Sequence, residues 1–284
     1  MKKELSTNAP HATAESNISS FMKIKPRYTT DDYTGNDRLS GKSVVVTASD
    51  NGVGKAVSIA FAKEGADIIM VYDHQKHEKD LKDVLKAIEK IGRKVWLFKS
   101  CTFEEFKCRK LFENIMKKVK RIDIIVNTFP IYHKSETETG HYLLRKNDTL
   151  KIQSLFTLGR IAPEYIASDG VIINSATLCA YAQPDQLIFY SALKAAIKNY
   201  THEMNRMLSL AKNNIRINGL TTGFIWSDIL PESLPKYENL PMGIQSVAPM
   251  HPYEIAPLYV FLASEESRPI AGETLDAGGK IYKY

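Results

Sequence analysis

The chain has no long hydrophobic run. Nowhere in its 284 residues is there anything near the roughly 20 consecutive apolar positions of a membrane-spanning helix, so no membrane partner is expected. The opening residues MKKELSTNAPHATAES also lack the apolar core of a secretion signal, which points to the cytoplasm. Cysteine is scarce: Cys101, Cys108 and Cys179 form no CxxC pair and leave one over, which argues for reduced thiols rather than a disulfide framework. No His/Cys pair has metal-ligand spacing, and no metal is expected. Charge of one sign is not concentrated either. The 38 Lys+Arg against 32 Asp+Glu give a net +6, but the cations (Lys79, Lys82, Lys86, Lys90; Lys117, Lys118, Lys120, Arg121) are spread along helical faces without interleaved aromatics, so no nucleic-acid partner is expected.

What is present is a soluble composition, 44% hydrophobic and 25% charged, long enough for one large α/β domain. Residues 1–40 are polar and poor in aliphatic side chains. The first twenty are expected to be disordered, while Phe21, Tyr28 and Tyr33 either dock on the domain or on a neighbouring subunit, or belong to a loose leader. From Gly41 to the end, a single domain is expected in which strand and helix patterns alternate. Strands are read near 43–47, 67–72, 94–99, 122–126, 170–175, 215–220 and 273–276, and helices near 53–64, 78–92, 104–119, 143–167, 188–212 and 252–263. Right-handed crossovers then give a Rossmann-type α/β fold, a doubly wound parallel sheet of about seven strands with helices on both faces. The Pro-rich connection 221–252 carries Phe224, Ile225, Trp226, Tyr237 and further apolar residues, and is read as a substrate-covering loop.

The run Ser43–Gly54, SVVVTASDNGVG, passes from a buried parallel strand through small and Asn/Asp residues directly into a helix. A helix N-terminus aimed at such a turn is a seat for pyrophosphate. The common six-residue glycine fingerprint is absent, since Val57 stands three residues beyond Gly54. Further along, Tyr190 and Lys194 are four apart on a helix, which puts a phenol and an ammonium on one face. The cation favours phenolate and makes the pair a candidate general acid/base. Thr177 is expected just after the strand Val171–Asn174, at the carboxyl end of the sheet.

Taken together, Thr47, Gly52 and Gly54 of the turn, Asn127 after the fourth strand, and Thr177, Tyr190 and Lys194 in this order resemble the short-chain dehydrogenase/reductase family. The likeness runs from about Gly41 to the closing Asp276-Ala277-Gly278-Gly279, and the segment 22–42 resembles the leader of a general-stress and glucose-dehydrogenase-like bacterial subgroup. The resemblance implies an NAD(P)-dependent oxidoreductase acting on a small alcohol or carbonyl substrate and assembled as a homotetramer. It implies catalysis by Thr177, Tyr190 and Lys194 and cofactor contacts from Thr47, Ala48, Ser49, Asn51, Gly52, Val53, Asp73, Cys101, Thr102, Asn127, Tyr190, Lys194, Gly223 and Ile225. Asp73 would accept the adenosine ribose hydroxyls and repel a 2′-phosphate, a slight preference for NAD over NADP.

Several positions depart from the family pattern. Ala48 replaces a turn glycine, a methyl that a negative φ would accommodate. Cys101 stands for an aspartate, Thr128-Phe129-Pro130 for Asn-Ala-Gly, and Thr222 for a proline. Lys151 stands for the asparagine that holds a relay water, placing a second ammonium near Lys194. The reading that competes with weak or unusual activity is therefore a catalytically inactive binding or scaffold protein of the same fold.

Overall fold

Seven short segments form the strands, of which the first, second, fourth and fifth are rich in Val and Ile, residues that suit a pleated surface buried on both faces. They are β1 (Ser43–Thr47), β2 (Asp67–Tyr72), β3 (Val95–Lys99), β4 (Ile124–Asn127), β5 (Val171–Thr177), β6 (Arg216–Thr222) and β7 (Thr274–Ala277). In the computed structural model, which describes residues 26–49, 52–72, 78–100, 104–128, 146–177, 188–209, 213–223, 225 and 250–277, they make one parallel sheet in the order β3-β2-β1-β4-β5-β6-β7. The helices between them are α1 (Gly52–Lys63), α2 (Glu78–Lys90), α3 (Glu105–Lys118), α4 (Lys146–Ile161), α5 (Ile188–Ser209) and α6 (Pro252–Ala263).

Alternation along the strands builds two cores. Val44, Val46, Ile68, Met70, Ile124, Val126 and Ile173 pack with α1, α2 and α6. Val45, Ile69, Val71, Ile125, Ile172 and Ile217 pack with α3 and α4 and with Met204 and Leu208 of α5. Because β1 lies between β2 and β4, the strand order reverses there. A doubly wound sheet opens its ligand crevice at that reversal, outside the carboxyl ends of the strands.

Several boundaries differ from the sequence reading for local reasons. α4 stops at Ile161 rather than continuing to 167, because Pro163 falls in a 3₁₀ turn, Ala162–Glu164. β5 runs through Thr177, which is the last residue of the strand and not a residue beyond it. β6 likewise keeps Thr221 and Thr222, paired with Asp276 and Ala277, so the long connection begins only after it. Positions 226–249 of that connection lie outside the described residues.

The segment from Arg27 to Lys42 lies against α1 and α6. The Arg27 carbonyl accepts from the Tyr253 N–H at 3.2 Å, satisfying a donor in the first turn of α6. Tyr28 and Tyr33 pack against the core, and the Lys63 ammonium donates to the carbonyls of Thr30 and Tyr33 at 2.8 and 2.7 Å. The segment ends on Glu64, the residue after α1, whose carboxylate is fully buried. No helix among the described residues is long and apolar enough to cross a membrane.

Candidate active site

The turn after β1 sits at the strand reversal. Thr47, Ala48 and Ser49 are all buried. Ser49 ties the turn to its surroundings: its hydroxyl donates to the Val46 carbonyl at 2.9 Å, and its N–H donates to the Val71 carbonyl at 3.3 Å. Ala48 has φ 46°, in the left-handed region. The condition under which its methyl would be accommodated, a negative φ, is therefore not met, and the turn keeps the backbone shape a glycine would adopt. Gly54 explains how closely α1 approaches. A Cβ there would stand 2.4 Å from the Ala48 carbonyl oxygen. The first turn of α1, with its unpaired N–H groups and positive dipole end, is thereby held next to the crevice. In the same turn Lys55 is 4% exposed, its ammonium 4.8 Å from the centroid of the Tyr28 ring.

A chain of buried side chains leads away from this turn. The Thr47 hydroxyl donates to Asn127 Oδ1 at 3.4 Å and accepts from the Thr128 N–H at 3.0 Å, while the Thr128 hydroxyl donates to the Thr47 carbonyl. Asn127 Nδ2 donates to Asn174 Oδ1 at 3.3 Å. Asn174 Nδ2 donates to Thr201 Oγ1 at 2.9 Å, and Thr201 Oγ1 donates to the Ile197 carbonyl at 2.8 Å. Thus β1, β4, β5 and α5 are linked by polar contacts inside an otherwise apolar interior.

The carboxyl edge of the sheet gathers several of the residues singled out in the sequence. Thr47 closes β1 and Ala48 and Ser49 follow it, Asn127 closes β4, Thr177 closes β5 in register with Thr222 of β6, and Gly223 comes next with its N–H 3.4 Å from the Ala277 carbonyl. Ile225 forms an isolated parallel bridge with Met250. Gly52 and Val53 open α1; Lys151 belongs to α4, and Tyr190 and Lys194 to the first two turns of α5. Beneath Thr177, the fully buried Tyr259 of α6 donates its hydroxyl to Ser175 at 2.9 Å, fastening that end of β5. Asn51, Asp73, Cys101, Thr102, Phe129 and Pro130 lie outside the described residues.

Cys108 is a poor nucleophile, since burial pushes its thiol up to about 12. Among the described residues no group of three His, Cys, Asp or Glu could hold a metal ion. The sequence reading missed Lys55, Asn174, Thr201 and Tyr259, and took Thr128 only as a departure from the family pattern. For two of them a signal exists: Asn174 interrupts the apolar run Val171-Ile172-Ile173, and Thr201 lies eleven residues beyond Tyr190, on the same helical stripe.

Comparison with known proteins finds relatives over most of the chain. The family model described as enoyl-(acyl carrier protein) reductase matches residues 47–279. General stress protein 39 of Bacillus subtilis is 35% identical over 270 residues, covering 92% of each chain. Glucose and ribitol dehydrogenase homolog 2 of Arabidopsis thaliana is 30% identical over 275 residues, 93% of each. A short-chain dehydrogenase from Burkholderia cenocepacia, solved in complex with NADP, superposes with a TM-score of 0.73 at 21% identity. It covers 86% of this chain and 99% of its own.

Proposed function

This chain belongs to the short-chain dehydrogenase/reductase family, and from that we propose that it is an NAD(P)-dependent oxidoreductase working on a small alcohol or carbonyl compound. The observation that supports the reading most is the shared edge. The turn after β1, the end of β5 with Thr177, and Gly223 after β6 all lie at the carboxyl edge of one sheet, with Asn127 closing β4 between β1 and β5, where a doubly wound sheet binds its ligand. The turn also fits a dinucleotide. Gly54 lets α1 come so close that a Cβ there would stand 2.4 Å from the Ala48 carbonyl oxygen, which holds the unpaired N–H groups of the first turn of α1 beside the crevice.

In this reading the pyrophosphate lies against Thr47–Val53, and the nucleotide, when bound, supplies or accepts the hydride. The chain's own residues handle the proton. Tyr190 exchanges it with the substrate oxygen. Lys194, one helical turn on, lowers the phenol's affinity for that proton through its charge. Thr177 offers a hydroxyl to the same oxygen. Asp73, one residue past β2, gives NAD a slight advantage over NADP through the adenosine ribose. Lys151 replaces a neutral relay residue with a second cation and keeps the rate low. The same reading takes the assembly to be a homotetramer.

One observation favours the competing scaffold reading: the turn is built with a strained Ala48 where the conformation calls for glycine. A calorimetric and fluorescence titration with NADH and NADPH, with Lys151→Asn in parallel, separates the two. Micromolar binding of either nucleotide is expected, followed by turnover on a panel of alcohols, aldehydes and sugars that Tyr190→Phe abolishes without unfolding the protein. Failure of both proteins to bind millimolar nucleotide overturns the oxidoreductase, and unchanged turnover in Tyr190→Phe removes that residue from the mechanism.

A further inference from the structure

We propose that Thr47, Asn127, Asn174 and Thr201 form one ladder that sets the register of α5 against β5, and so act as positioning residues for Tyr190 and Lys194 opposite Thr177. The inference rests on the acid/base roles given to those residues above.

The ladder has a direction. Thr47 donates to Asn127, Asn127 to Asn174, Asn174 to Thr201, and Thr201 to the Ile197 carbonyl. Turning the Asn174 amide over would set its NH₂ against that of Asn127, donor against donor, so each amide has one orientation in which every contact pairs. All four side chains are at least 94% buried, with Thr201 at 0% exposure. An unmade bond here leaves a polar group dry, and the cost of that exceeds the modest gain of making it.

The ladder's far end is where it bears on chemistry. Tyr190, Lys194, Ile197 and Thr201 follow the i, i+4, i+7, i+11 spacing, so their positions share one stripe of α5. Asn174 lies three residues before Thr177 in β5. The 2.9 Å bond between Asn174 and Thr201 thus joins the stripe that carries the phenol and the ammonium to the strand that ends in the hydroxyl. Apolar packing is non-directional and tolerates small slides of a helix. A register shift of one residue moves a side chain about 1.5 Å along the axis and about 100° around it, which carries the Thr201 hydroxyl away from Asn174. The contacts inside the sheet hold Asn174 in turn, through Asn127 to the turn after β1.

The test reads position without needing turnover. Tyrosines are labelled at Cζ with ¹³C, Tyr190 is assigned by Tyr190→Phe, and its titration is followed by NMR, alongside amide hydrogen exchange of residues 191–196 with α3 as the internal reference. Thr201→Val keeps the shape and removes the hydroxyl; Thr201→Ser keeps the hydroxyl. We expect Thr201→Val to move the Tyr190 titration towards the free phenol value of about 10 and to speed exchange at 191–196 by about tenfold relative to α3, with Thr201→Ser close to the parent protein on both. Should Thr201→Val not fold, Thr201→Cys, similar in size and a weaker hydrogen-bonding partner, is read the same way. If the parent Tyr190 already titrates near 10, the acid/base assignment falls, and the exchange pattern alone decides the ladder. Exchange and titration unchanged in the variant, or exchange raised equally in α3 and α5, overturns it.

Discussion

Ala48 holds a conformation that costs an L-residue about 1–2 kcal/mol, at φ 46° in a buried turn. Ala48→Gly removes that cost and gives back about 0.4–1 kcal/mol through the freer unfolded chain. The expected outcome in equilibrium urea unfolding is a net stabilisation of up to about 1.5 kcal/mol; a comparable destabilisation would show that the alanine is not strained. Gly54 is the converse. There the φ is ordinary and the constraint is space, since a Cβ would meet the Ala48 carbonyl at 2.4 Å. The sequence identifies both positions from their place in the turn. It cannot say that Ala48 keeps the glycine's backbone, because φ is imposed by the strand before it and the helix after it.

At the scale of elements, the segment Arg27–Lys42 is fastened to the end of α1 by Glu64. Burial alone would raise the pKa of this carboxyl, but it accepts from the Arg38 guanidinium at 2.5 Å, from the Tyr33 hydroxyl, and from the N–H groups of Asn36 and Arg38 at 2.8 and 3.2 Å. These donors win, and together they lower it from 4.5 to about 2. The folded state therefore binds the proton more weakly than the unfolded one. The stability this contributes, about 3 kcal/mol, is fully present above about pH 4.5 and is lost as pH falls towards 2. Glu64→Gln is expected to lose about 2–4 kcal/mol at pH 7, because it leaves the Arg38 guanidinium without its counter-charge, and to show a flatter stability profile between pH 4.5 and 2. A variant as stable as its parent at pH 7 would mean that the clamp contributes nothing. The two tyrosines of this segment are legible in the sequence as docking candidates. Glu64 is not, since nothing in the local pattern Ala62-Lys63-Glu64-Gly65 distinguishes a buried acceptor of four donors from a helix-end surface charge.

For the whole molecule, the surface left outside the two cores carries large apolar side chains on the helices: Phe106 of α3 is 73% exposed, Phe156 of α4 44%, and Met207 of α5 62%. Phe156 meets the Tyr200 ring edge to face, 4.9 Å between centroids, which extends the apolar surface from α4 onto α5. Exposed apolar side chains of this size suit burial against another copy. Light scattering on the purified protein is expected to return four times the chain mass, and a monomer at micromolar concentration would contradict the tetramer.

The alternation of β-branched runs with amphipathic helices is a local pattern, and by itself it determined the class of fold, the number of strands and the position of the turn after β1. Spacing alone likewise put Tyr190 and Lys194 on one helical stripe. Contacts between residues far apart in the chain leave no periodic trace, so only the tertiary structure decided three things: that the sheet reverses between β1 and β4, that Thr47, Asn127, Asn174 and Thr201 join into one ladder, and that the leader's two tyrosines pack beside α1. A polar residue in an apolar run announces that it needs a partner. Which residue answers, from up to 80 positions away, is settled by how the layers pack.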